Sequence, residues 1–245
     1  MENDLAFLVF KFFFATSPIW GAFLLGYVFI NMWIRYIRNY YIKKQKEVLL
    51  EIKLPREITK TPAAMEIFFI SLFQSGATTY YETYMDGKVR PWFSLELVSL
   101  GGQVKFFIWT MERFKDLVQT QLYAQYPNIE IYESPDYTKL VPFDPVNVPF
   151  WGTYFKLTKA DAYPIKTYID YGMDKPIEEE YKIDPMTSVL EYLGSLKEGE
   201  QAWIQILMQA HRSMGLVDGY LFKREDWRND ALAEIKKIRK KTEPL

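Results

Sequence analysis

From Phe12 to Ile34 the chain runs 23 residues without a formal charge, FFFATSPIWGAFLLGYVFINMWI. At about 1.5 Å of rise per residue, a helix of that length crosses the roughly 30 Å of a bilayer's hydrocarbon. A segment with no water to bond to must satisfy its own backbone, so the run is read as a retained transmembrane helix. A cleaved signal would begin with basic residues and carry a shorter apolar core. Here the start holds Glu2 and Asp4 instead.

The sequence behind the run, RYIRNYYIKKQK, sets basic residues among tyrosines. Arg35, Tyr36, Arg38, Tyr40, Tyr41, Lys43 and Lys44 are therefore the expected membrane-interface residues, because aromatic rings and cations suit the headgroup layer. Only Lys11 precedes the run, so the positive-inside rule puts the C-terminal body in the cytoplasm and the N-terminus outside. The expected location is the cell inner membrane, spanned once.

Charge then changes along the chain. Residues 35–60 hold eight basic and three acidic side chains, net +5; residues 61–185 hold eleven and seventeen, net −6; residues 186–245 hold ten and nine, net +1. A body without a basic excess argues against direct nucleic-acid binding, whose affinity rests on clustered Lys and Arg. The chain has no cysteine, which excludes disulfides, thiolate metal sites and a cysteine nucleophile.

Hydrophobic periodicity predicts an α+β body. Val48 to Leu54 alternates as a half-buried strand, and Thr61-Pro62 is the expected start of a helix carrying Met65, Phe68, Phe69, Leu72 and Phe73. A loop with Tyr80, Tyr81 and Tyr84 follows, turning at Asp86-Gly87. Two alternating runs, Phe93–Leu97 and Val104–Ile108, flank Gly101-Gly102, which reads as a two-residue hairpin turn. Thr110 is the expected cap of a helix with Phe114, Leu117, Val118, Leu122 and Tyr126 on one face, and Asn128–Tyr132 is a further strand. The succession βαββαβ is that of a ferredoxin-like unit.

Domain boundaries follow from these elements. Residues 1–47 form the anchor with its basic flank, and 48–140 the ferredoxin-like domain. Pro-rich Val141–Pro149 reads as a linker to a second α+β unit over 150–222. That unit has strands expected at Tyr154–Thr158 and Ile165–Tyr171, a helix begun by Asp184-Pro185, and a strand over Gln201–Ala210. Whether it repeats the first unit or extends it irregularly is open. An amphipathic helix over 223–245, with Trp227, Ala231, Ile235 and Ile238 in one stripe, ends the chain as a connector.

No chemistry-bearing motif emerges. A phosphate loop needs G-x-x-x-x-G-K followed by Ser or Thr, and none of the twelve glycines begins one. His211, the single histidine, has no acid within four residues, and Glu178-Glu179-Glu180 reads as a solvated loop. The expectation is therefore no catalytic, cofactor or metal site, and no enzyme.

Two segments, LEIKLPREITKTPAAMEIFF and GKVRPWFSLELVSLGGQVKFFIWTMERFKDLVQTQLYAQYPNIEIYE, resemble a membrane-anchored N-terminal region in proteins of candidate-phyla bacteria. There that region precedes a conjugation-type ATPase of the type IV secretion class; the resemblance is best over Leu49–Tyr137. It implies a membrane-tethered docking or scaffold module for a DNA- or protein-pumping motor. The motor itself would lie beyond residue 245 or in a partner protein. A second reading is a free-standing envelope protein that binds a protein partner, and a membrane-anchored enzyme is the weakest. The expected partners are the lipid bilayer and other proteins, with self-association left open.

Overall fold

The structure is a computed structural model that describes residues 2–55, 60–73, 76, 78–141, 144, 148–160, 163, 165–174, 184–211, 214–220 and 227–242. The chain forms two compact units. One combines Met1–Lys44, Thr78–Val89 and Gly215–Phe222; the other combines Gln45–Ala77, Arg90–Met214 and Lys223–Leu245.

In the first unit, α1 is a single helix over Glu2–Lys44, longer at both ends than the uncharged run. The stretch Phe10–Lys44 is long and apolar enough to cross a membrane. Phe12, Phe13, Phe14, Ile19, Leu24 and Phe29 are all exposed, and their positions run right round the helix. A helix that is apolar on every side matches hydrocarbon, not a protein core with a wet opposite face. The short helix α3 (Tyr80–Tyr84) and a 3-10 turn at Leu216–Asp218 complete this unit.

The second unit is built on one antiparallel sheet of β1 (Glu47–Lys53), β2 (Trp92–Leu100), β3 (Gln103–Met111), β4 (Glu130–Ser134) and β5 (Gln201–Gln209). Its strand order is β4-β1-β3-β2-β5. Alternation gives each strand two faces. On one face Val48, Leu50, Phe93, Ile108 and Ile131 pack under Phe68 of α2 (Ala63–Ser71), Leu72 just after it, and Val118 and Leu122 of α4 (Lys115–Gln125). Phe68 is fully buried there, which contributes on the order of 2–3 kcal/mol. The opposite face gathers Leu49, Val98 and Phe107 around Tyr137.

Gly101 and Gly102 form the β2–β3 turn as expected, with Leu100 paired to Gln103 and φ values of +59° and +84°. The turn also docks on the segment that joins α5 (Thr187–Gly194) to β5. Gly101 N–H donates to the Glu200 carbonyl at 2.9 Å, and a Cβ on Gly102 would lie 2.6 Å from the Leu196 oxygen.

Several expectations are corrected. Tyr154–Thr158 pairs with no strand; it alternates in sequence, but a strand also needs a neighbour's backbone, and Tyr154 and Phe155 stay exposed. Ile165–Tyr171 is no strand either: turns begin at Tyr168, because the Asp170 carboxylate accepts the Thr167 N–H at 2.7 Å and closes the chain locally. β5 belongs to the same sheet, paired along its length with β2, so the expected second α+β unit shares the sheet of the first.

Helix starts also differ. Thr61 gives no side-chain cap to α2, whose first turn closes on the Thr61 and Pro62 carbonyls. Thr110 lies inside β3, fully buried, and α4 starts after a 3-10 turn at Glu112–Phe114. Asp184 does accept the Met186 N–H at 2.8 Å before α5. The tyrosine-rich loop contains α3. The last helix, α6, spans Trp227–Thr242, with Ile235 and Ile238 exposed. Glu178, Glu179 and Glu180 lie outside the described residues, as does much of Val141–Pro149.

Candidate functional site

The densest set of polar ties in the first unit surrounds the last turns of α1. Ile34 and Ile37 are buried, and Arg38 and Tyr41 are half-buried. Spacings of three and four put these four on one helical face. Arg35, Tyr36, Tyr40, Lys43 and Lys44 occupy the other face and are exposed. The seven expected interface residues are thus divided: five face outward, while Arg38 and Tyr41 turn into the protein.

Two chain segments hold the inward face. Trp33 Nε1–H donates to the Tyr84 carbonyl at 2.8 Å. From α3, the Thr83 hydroxyl donates to the Val217 carbonyl at 2.6 Å, and the Tyr84 hydroxyl to the Leu216 carbonyl at 2.9 Å. Arg38 Nη2–H donates to the Asp218 carbonyl, and its guanidinium lies 5.4 Å from the Tyr220 ring centroid. The backbone at Gly87 touches the helix directly: a Cβ there would sit 2.4 Å from the Ile37 carbonyl carbon and oxygen. The result is a collar of α3, the turn after it and the 215–220 turn around one end of α1.

α3 has only five residues, so its stability depends on its ends. Thr79 and Glu82 form a capping box: the Thr79 side chain accepts the Glu82 N–H at 3.3 Å, and Glu82 Oε2 accepts the Thr79 N–H at 2.8 Å. Lys88 Nζ lies 2.6 Å from Glu82 Oε1. These contacts, the Lys88 hydrogen bond first and the Thr79 N–H second, lower the Glu82 carboxyl from its ordinary 4.5 to about 2. Sequence reading missed this helix, although Thr79-Tyr80-Tyr81-Glu82 carries the T-x-x-E signature.

The Glu82 shift predicts a pH dependence. Because the folded carboxyl titrates below the unfolded one, its contacts contribute fully above about pH 4.5 and are lost as the pH falls towards 2. In an NMR titration of the chain in micelles, the Thr79 amide is expected to move with a midpoint well under 4.5. A midpoint at 4.5 would mean that the box is not formed.

The second unit holds a buried polar network on the sheet face away from α2 and α4. The Tyr137 hydroxyl donates to Glu96 Oε2 at 2.8 Å and accepts from Gln205 Nε2 at 2.9 Å. Burial, then the bond to Glu96, pushes the Tyr137 phenol well above its ordinary value. Its ring stacks on Phe107 at 5.4 Å and meets Trp203 edge-on at 5.1 Å. Tyr137 thereby satisfies an almost fully buried carboxylate and ties β2 to β5 through the turn at Tyr137–Leu140. Such a network gives structural support, and its members offer no exposed nucleophile.

His211 lies two residues past β5 and is exposed. Apolar surface is left uncovered beyond the anchor: Trp151 and Phe155 are 83% and 95% exposed, and Ile67, Ile70 and Phe73 at α2 also face outward.

Fold and collar together define the class: an α+β protein with a span-length apolar helix at its N-terminus, gripped at the helix end that adjoins the sheet in sequence. More particularly, the chain belongs to the family described as a domain of unknown function, DUF8128, whose sequence model matches residues 40–244. The matched region starts in the last turns of α1, so it takes in α3 and the 215–220 turn but leaves out the apolar part of the helix. No curated protein matches the chain, and neither does any solved structure.

Proposed function

We propose that the chain is a membrane-tethered docking or scaffold module, without enzymatic activity of its own, that positions a motor ATPase of the type IV secretion or conjugation class. It crosses the inner membrane once, with the N-terminus outside and the body cytoplasmic. The observation that carries this reading is the collar: a helix that only anchored would need no such grip, whereas a docking module uses a folded surface built at the end of its anchor. The strand order β4-β1-β3-β2, with α2 and α4 as crossovers, supports reading the sheet as a ferredoxin-like unit to which β5 is added. Arg35, Tyr36, Tyr40, Lys43 and Lys44 then face the headgroups. The motor is supplied either by the same polypeptide or by a separate one.

The exposed Trp151 and Phe155 favour a protein-binding surface also under the second reading, a free-standing envelope protein. A photo-crosslinker at Phe155 in cells separates the two. Recovery of a secretion-class ATPase is expected, and recovery only of unrelated envelope proteins would favour the second reading. Because the chain has no cysteine, an introduced Glu2→Cys reports orientation. Labelling by an impermeant maleimide in intact spheroplasts is expected, and protection there would overturn the topology. Nucleotide turnover by the purified chain would overturn the non-enzymatic reading.

A further inference from the structure

We infer that β5 is a self-association edge, where a second copy of this chain adds its own β5 antiparallel and continues the sheet across both copies. This inference does not depend on the docking reading. Among the described residues β5 is an outer strand of the sheet, paired on one side with β2. Edge strands that must stay single are shortened, charged or interrupted by proline or a bulge. β5 has none of these: QAWIQILMQ is nine residues without charge or proline, in continuous register with β2 from Gln201 to Gln209. Its Ile206 and Leu207 are 57% and 69% exposed.

The opposite edge is guarded. β4 has only five residues, includes Glu130 and Glu133, and is covered by a Lys115–Glu133 ion pair and by Lys53 over the Tyr132 ring at 4.7 Å. One open and one guarded edge allow closure at a two-fold pair and stop further growth.

The strand's own pattern selects a second copy as the occupant. With Gln205 opposite the partner's Gln205, antiparallel pairing keeps each side chain on its own face. Ile204 then meets Ile206 and Ala202 meets Met208 on one face, while Trp203 meets Leu207 and Gln201 meets Gln209 on the other. Every exposed apolar side chain of the strand gains an apolar neighbour, and the glutamines pair with glutamines. The sequence on the two sides of the strand carries opposite net charge, Lys197, Glu198 and Glu200 before it and Arg212 after it. An antiparallel copy brings these unlike ends together, whereas a parallel copy would bring like ends together.

The test uses the full chain in detergent micelles, with its mass read by light scattering corrected for detergent. A dimer is expected, and Ile206→Lys, at an exposed position that leaves the circular dichroism unchanged, is expected to weaken it by about tenfold or more. The absence of native cysteine permits a register test in lipid vesicles. Gln205→Cys is expected to form a disulfide-linked dimer on oxidation. Gln201→Cys is expected to form none, because its counterpart would be about 27 Å away at ~3.4 Å per residue. A monomeric chain, equal cross-linking at both positions, or a dimer that survives Ile206→Lys unchanged would each overturn the inference.

Discussion

Replacing Gly87 with alanine is expected to open the collar and leave the end of α1 ungripped. Gly87 has φ +66°, a conformation that costs an ordinary residue about 1–2 kcal/mol. The added methyl would also fall 2.4 Å from the Ile37 carbonyl and 2.8 Å from Arg38 N. These are backbone atoms of a helix, so no rotamer change relieves the overlap, and forced overpacking adds about 1–3 kcal/mol. A combined loss of about 2–5 kcal/mol exceeds what one tie such as Trp33 to the Tyr84 carbonyl supplies, about 1 kcal/mol. Hydrogen exchange checks this: amides of α3 are expected to lose protection while those of β1 to β4 keep theirs. Unchanged exchange across Tyr80–Tyr84 would show that Gly87 does not bear on the helix.

Gly102→Ala is the second large effect, this time in the sheet unit. Its φ of +84° again disfavours a side chain, and the new Cβ would meet the Leu196 and Gly194 oxygens at 2.6 and 3.0 Å. The hairpin must then lift from the α5–β5 connection or distort, at a cost of about 2–4 kcal/mol. The denaturant midpoint of the chain in micelles is expected to fall. Gly194→Ala is the control, since nothing lies within 4 Å of a Cβ there and the residue ends α5. That change is expected to be neutral or to stabilise by up to about 1 kcal/mol. Equal losses in both variants would remove the packing explanation.

How far the sequence spoke depended on where the information resided. The long apolar helix was legible because one run without charge leaves a helix as its solution, and the β2–β3 hairpin because Gly101-Gly102 stands between two alternating runs. The collar was not legible. Its ties end on the carbonyls of Tyr84, Leu216, Val217 and Asp218, which any residue could supply, from positions 51 to 180 residues away. α3 was hidden because five residues show no helical period, and only its capping box announced it.

Strand partners were equally silent. Tyr154–Thr158 and β5 both alternate in sequence, and among the described residues only β5 found a neighbour. Of the seven interface residues, the helical face alone distinguishes Arg38 and Tyr41 from the others, and the sequence gives no hint of which face the collar takes.

The collar also orders events during synthesis. Arg38 leaves the ribosome with α1, but its acceptor at Asp218 follows 180 residues later. The sheet strands, all complete by Gln209, are made before the turn that finishes the grip. A chain released early, after Gln209 but before Gly215, would carry every described strand and the α3 contacts at Tyr84 and Gly87, yet lack the Leu216, Val217 and Asp218 carbonyls that complete the collar. The last third of the sequence thus reports, through one short turn, that the polypeptide has been made through to residue 220.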